Sequence, residues 1–262
     1  MRRMRQKGFS RLSLLLALLS ALAPSLACAE SRYTLETGSQ QTIDTYISPL
    51  RYDGMPVAIS GYWSRQLKSG GGRWVSEGGA RMEAAFMRNP SRTAREYSFM
   101  LLGGWSMSRF VQLPYDITLR AGVGADVEAG AVYLPRNGNN PASAKFYAGA
   151  HLNAEISRRF TFLRRPMRAR AGAFMPVAGA MFSPEYGEPY YEIYLGNRSG
   201  LAHFAWWGNR MRLIVAPSLD ISFRCGTFSL GYRYGLLSSY VNGLHTRIIS
   251  HTVAIGFIPG QL

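Results

Sequence analysis

The chain has 262 residues, 47% of them hydrophobic, with 28 glycines, 13% aromatics and a formal charge of +15 from 30 basic and 15 acidic residues. No Pro-, Ser- or Gly-rich linker divides it, so it reads as one domain. No stretch after the N-terminal segment approaches the ~18 consecutive apolar residues of a membrane-spanning helix, which excludes a helical membrane protein.

Arg2, Arg3, Arg5, Lys7 and Arg11 precede the apolar run Leu12 to Leu22, and Ala27-Cys28-Ala29 offers small residues for cleavage. This is the pattern of a secretory signal peptide over residues 1–29, with 30–262 as the mature domain. A lipoprotein signal acylated at Cys28 is the alternative, disfavoured by Ser25 where such signals usually carry leucine. The apolar run is too short for a retained anchor, which needs ~20 residues. Removing the segment takes five of the 30 basic residues and none of the acidic ones, leaving 25 against 15. Cys225 is then the one cysteine, so no internal disulfide forms.

Turn signals punctuate the remainder at Ser69-Gly70-Gly71-Gly72, Asn89-Pro90-Ser91, Leu113-Pro114, Asn137 to Pro141, Arg164-Arg165-Pro166, Cys225-Gly226 and Asn242-Gly243. They delimit nine strands. A single-chain bacterial barrel has an even number, so a tenth is expected over Thr42 to Leu50. Tight turns are expected at Leu113-Pro114 and Cys225-Gly226, and longer loops at 135–141, 182–189 and 239–245.

Between these signals the side chains alternate. Ile117 to Ala131 reads ITLRAGVGADVEAGA, with Arg120, Asp126 and Glu128 on one face and apolar residues on the other. Ser143 to Phe160 sets Phe146, Ala148, Leu152 and Ile156 against Lys145, His151, Asn153 and Glu155. Met167 to Met175 opposes Arg168 and Arg170 to methionine and alanine, and Ile249 to Phe257 keeps the same period. These runs exceed the ~5–6 residues usual in globular strands and reach the ~9–11 of a tilted transmembrane strand. Tyr190 to Leu195 and Leu201 to Trp207 could add a hairpin, which makes twelve.

The expected fold is therefore all-β: a closed antiparallel transmembrane β-barrel of 10 or 12 strands, apolar outside and polar inside. Aromatics near strand ends, among them Tyr62, Trp63, Trp74, Tyr97, Phe99, Tyr133, Phe160, Tyr232 and Phe257, suit interfacial girdles. A secreted soluble β-sandwich is the rival fold; it would bury Val123 and Ala148 in a dry centre.

The inward register collects Arg120, Lys145, Arg168, Arg170, Arg210, Arg212, Arg224 and Arg233 against Asp126, Glu128, Glu155 and Asp220. A salt-bridged plug is the plain reading; an arginine-lined pore or pocket for a small anion is the functional one. His151 shares that face with carboxylates, yet there is no second histidine at ligand spacing, so neither metal nor cofactor is expected. Ser250 and His251 point to opposite faces and cannot pair, although a lipid-facing His251 could meet a serine on a neighbouring strand, as in membrane-embedded lipid hydrolases. Gly122-Val123-Gly124 lacks the following helix of a nucleotide-binding turn. Dispersed arginines without a basic stripe argue against nucleic acid; a barrel facing anionic lipopolysaccharide accounts for the basic excess. Tyr186, Tyr190, Tyr191, Tyr194, Phe204, Trp206 and Trp207 crowd one connection and are candidates for a recognition surface or lid.

Thr45 to Gly54 (TYISPLRYDG), Asn139 to Lys145, Pro184 to Gly187, Tyr190 to Asn197 and Asn242 to Leu244 resemble a family of uncharacterised bacterial outer-membrane barrel proteins carrying a domain of unknown function. The resemblance implies fold, outer-membrane location and dependence on the barrel-assembly machinery, and assigns no catalytic residue. The C-terminus, Phe257 to Leu262, departs from the terminal aromatic of such barrels. The expected role is a structural or binding barrel, or a narrow passive channel for small solutes, with no enzymatic apparatus; a lipid-modifying outer-membrane enzyme is the alternative.

Overall fold

The computed structural model describes residues 30–260 apart from positions 139, 197 and 198, with the backbone alone at 69 and 70. The expected signal peptide, with Cys28, lies outside the described residues. The strands are β1 (Glu30–Asp44), β2 (Ser48–Leu67), β3 (Trp74–Arg88), β4 (Arg95–Leu113), β5 (Ile117–Tyr133), β6 (Ala142–Phe162), β7 (Arg165–Phe182), β8 (Ala202–Trp206), β9 (Arg210–Phe223), β10 (Gly226–Val241) and β11 (Leu244–Pro259). A short helix, α1 (Tyr190–Tyr194), precedes β8.

Every pairing is antiparallel, and β11 closes on β1 from Tyr33↔Phe257 to Asp44↔Thr246. Closure satisfies both edges, which a membrane requires because lipid offers no hydrogen bonds. Ten long strands form the wall. The eleventh, β8, pairs with Ala178 to Phe182 at one end of β7, while β9 takes the rest of that edge from Met167 to Phe174.

The apolar rows face outward. Val123 is 61% exposed, Ile255 62% and Leu230 59%, whereas Arg81, Glu128 and Asp220 in the inward rows are buried. The sandwich alternative fails on this point, since its Val123 would lie inside. Two interior apolar clusters fill the barrel half remote from the chain termini: Ile47, Tyr52, Met87, Val132 and Leu134, and Tyr147, Met181 and Ala205.

Several expectations are corrected. Thr42 to Leu50 is not a strand: residues 45–47 turn between β1 and β2, and Thr45 N–H donates to the His245 carbonyl, 3.0 Å. The tenth strand is instead β1, extended back to Glu30. Tyr190 to Leu195 is helical rather than half of a hairpin, because Tyr190 turns in to pack on Tyr46 and Phe182. The connection at 239–245 is no long loop but the two-residue turn Asn242-Gly243, both at positive φ (52° and 72°), the primed geometry that asparagine and glycine permit. Arg224 sits exposed in the turn before β10 instead of facing inward. Tyr62 lines the lumen and is no girdle residue.

Candidate ligand-binding lumen

Alternation along β5, β6 and β7 delivers Arg120, Glu155, Arg168 and Arg170 to one patch of the inner wall. Arg120 and Glu155 are register partners, paired at 3.2 Å, and Arg168 reaches the other Glu155 oxygen at 3.0 Å. Arg170 bonds Asp220 at 3.0 Å, and Asp220 also holds Arg32 of β1 at 3.1 Å. Arg120 reaches across to Glu77 of β3, 2.8 Å. This network crosses the half of the barrel nearest the chain termini.

Higher in the lumen, His151 Nδ1 lies 3.1 Å from Asp126 and its ring packs on Phe174. Room for the imidazole comes from Gly124: a Cβ there would fall 2.7 Å from His151 Nε2. Lys145 is further out still, 2.7 Å from Asp44.

Glu128 is the central residue of a transverse clamp. Its buried carboxylate accepts from Arg210 at 2.9 Å and from Arg212, and the Arg210 guanidinium lies 3.8 Å over the Tyr147 ring. On the terminal side is a cavity of ≈ 410 Å³ running from Glu30, Arg32 and Tyr62 to His151, Phe174 and Ile214. On the far side is a void of ≈ 50 Å³ bounded by Asp44, Tyr46, Lys145 and Thr246. The clamp's Glu128 and Arg210 line the smaller void, and its Arg212 lines the larger.

The large cavity is lined by seven arginines and five carboxylates, a positive excess. Arg233 of β10 accounts for part of it. It faces the cavity amid Arg81, Arg212 and Glu36. Among the described residues it makes no ion pair or side-chain hydrogen bond, because Glu36 is already held by Arg81 and Thr252. Gly172 contributes space, with nothing within 3.9 Å of where its Cβ would stand.

The far mouth is capped. The Tyr46 hydroxyl donates to the Glu188 carbonyl at 2.7 Å, and Tyr190 accepts from the Ala144 N–H at 2.6 Å. Burial foremost, then Tyr190, Glu188 and Asp44, pushes the Tyr46 phenol well above its ordinary value, so it remains a donor. Burial likewise raises Tyr190. Of the loop candidates, Tyr190 therefore forms the lid. Tyr186, Tyr191 and Tyr194 are exposed by 67–81%. Phe204 and Trp206 also face solvent, and Trp207 anchors the loop by donating to the Pro176 carbonyl, 2.7 Å.

Of the residues expected to face inward, Arg120, Asp126, Glu128, Lys145, His151, Glu155, Arg168, Arg170, Arg210, Arg212, Asp220 and Arg233 are on the inner wall, and Arg224 is not. Glu36, Glu77 and Arg81 also belong there. The alternation of Trp74 to Arg88, which sets Glu77, Arg81 and Glu83 on one face, would have revealed two of them. No group of three His, Cys, Asp or Glu side chains able to hold a metal occurs among the described residues.

On the outer wall, His251 Nδ1 is 2.5 Å from the Tyr232 hydroxyl. Ser39 lies directly across on β1, with no hydrogen bond to His251 among the described residues.

Architecture and wall polarity define an outer-membrane-type β-barrel. The chain belongs to the family described as "Protein of unknown function (DUF3316)", whose profile matches residues 14–260. No curated protein matches. Among solved structures, the chain is similar to the beta domain of the Bordetella autotransporter BrkA (12% identity, 88% of this chain and 100% of that one, TM-score 0.42). It is also similar to the translocator domain of the autotransporter NalP from Neisseria meningitidis (8% identity, 95% and 96% covered, TM-score 0.37). A third is the transport unit of the Escherichia coli autotransporter AIDA-I (7% identity, 88% and 90% covered, TM-score 0.38).

Proposed function

We propose that this protein is a bacterial outer-membrane barrel, made as an exported precursor, whose lumen is a blind chamber for small anionic solutes rather than a through-channel. The observation that carries the reading is the Glu128 clamp, which lies between the far mouth and the ≈ 410 Å³ cavity, where Arg233 has no ion-pair partner among the described residues. A guanidinium with five donors and no acceptor, beside two further arginines, favours a carboxylate or phosphate ligand.

With the termini in the periplasm, as in single-chain bacterial barrels, the chamber opens there and the Tyr46–Tyr190 lid faces outward. Exposed Arg51, Arg88, Arg92, Arg95 and Arg136 near the lidded rim support a lipopolysaccharide-facing surface. No catalytic role is assigned, and the assembly machinery is a protein partner on this reading.

Calorimetric titration of the detergent-solubilised barrel with inorganic phosphate and with benzoate tests the reading. Arg233→Gln is expected to weaken binding about tenfold or more, the loss of a charged hydrogen bond of about 1.5–3 kcal/mol. Affinity unchanged by that substitution, or large steady conductance of the wild type in planar bilayers, refutes it.

A further inference from the structure

The outward row of β1 differs from its neighbours. β2 presents Met55, Val57 and Ile59 and β11 presents Val253 and Ile255, all exposed and apolar, with the exposed His251 between them and Arg247; β1 exposes the apolar Tyr33 and Leu35 nearer the terminal end, but Thr37, Ser39 and Gln41 in its far half. Thr37 donates its hydroxyl proton to the Pro56 carbonyl, 3.0 Å. Ser39 and Gln41 have no side-chain partner among the described residues.

Two charged residues flank this row. Asp53 on β2 is the register partner of Gln41. Arg247 on β11 is the partner of Ile43, next along the same face. Asp53 is met by Arg51 at 3.1 Å through one oxygen and faces Arg88 across the β2–β3 register, while its other oxygen, which is buried, has no hydrogen-bond donor among the described residues. Arg247 is exposed and has no ion-pair partner among the described residues. If the wall faces lipid, as the proposed function holds, Ser39 and Gln41 lack water to satisfy them.

We propose that a second copy of this chain covers this face, forming a two-fold dimer across β1. A two-fold axis along the membrane normal, in front of β1, exchanges the β2 flank for the β11 flank. Asp53 of each copy then meets Arg247 of the other. Gln41 carries both donors and an acceptor, and Ser39 one of each, so each can bond its own counterpart at the axis. A lipid phosphate could neutralise Arg247, but it offers nothing to Asp53, nor to the uncharged polar row extending toward mid-strand.

The test is disulfide trapping in phospholipid vesicles, using Gln41→Cys in a Cys225→Ser background. Ala150→Cys on β6, exposed on the opposite side of the barrel, is the control. Oxidation is expected to give the dimer roughly tenfold faster from position 41, because pairing raises the effective thiol concentration. Asp53→Arg and Arg247→Asp should each lower the dimer yield, and the two together should restore it. Equal trapping at 41 and 150, or charge variants without mutual rescue, overturns the dimer. Flotation with the vesicles separates the two readings: protein that floats but does not cross-link defeats the dimer alone, whereas protein that fails to float defeats the membrane reading beneath it.

Discussion

Removing the Glu128 carboxylate tests whether an ionic clamp closes the lumen. Glu128 is 4% exposed and Arg210 5%, so Glu128→Ala leaves two guanidiniums deep in the barrel without their shared counter-ion. Removing one partner from a buried ion pair costs about 3–5 kcal/mol, most of it the penalty of the stranded charge. With an unfolding slope of about 2–3 kcal/mol per molar urea, the midpoint should fall by about 1–2.5 M. The assay is reversible urea unfolding from phospholipid vesicles, followed by tryptophan emission, with ion conductance measured on the same preparation. Conductance should rise once Tyr190→Ala also removes the lid, because the ≈ 410 Å³ cavity and the ≈ 50 Å³ void then communicate with the far mouth. Replacing Glu128, Arg210 and Arg212 together by leucine or methionine leaves no stranded charge and should return the midpoint close to wild type. A loss below about 1 kcal/mol for Glu128→Ala, with conductance unchanged in the variant that also lacks the lid, would show that apolar packing closes the barrel instead.

Orientation of the wall is tested by Val123→Arg, which sets a charge on the outward face at a position 61% exposed; it should destabilise the bilayer-inserted barrel by about 2–4 kcal/mol if near the midplane. In a water-facing sheet the same change would be nearly neutral, so unaltered vesicle unfolding would reject a lipid-facing wall. For the outer-wall histidine, phospholipid turnover by vesicles carrying wild type should equal that by His251→Ala and Ser39→Ala vesicles. Turnover that both substitutions abolish would replace the non-enzymatic reading with a lipid hydrolase.

The face of each residue was legible in the chain because a strand sends successive side chains to opposite sides. That periodicity alone placed Arg120, Asp126, Glu128, His151 and Glu155 on one wall, and it identified a barrel from rows such as Val123 and Val127. It failed where turn chemistry was misread: Thr42 to Leu50 looks like a strand, and Asn242-Gly243 joins two long strands in two residues where a loop was expected.

Which inward residues meet was beyond the sequence. Arg32 bonds Asp220, 188 positions away, because closure brings β1 round toward β9 and β10, and contact between them depends on register and stagger. The clamp of Glu128 with Arg210 and Arg212, and the absence of an ion pair at Arg233 among the described residues, arise the same way. Alternation is a local property of each peptide unit and follows from the chain itself. Which charge neutralises which is settled only when ten strands share one closed hydrogen-bond register, since that register alone fixes the distances across the lumen.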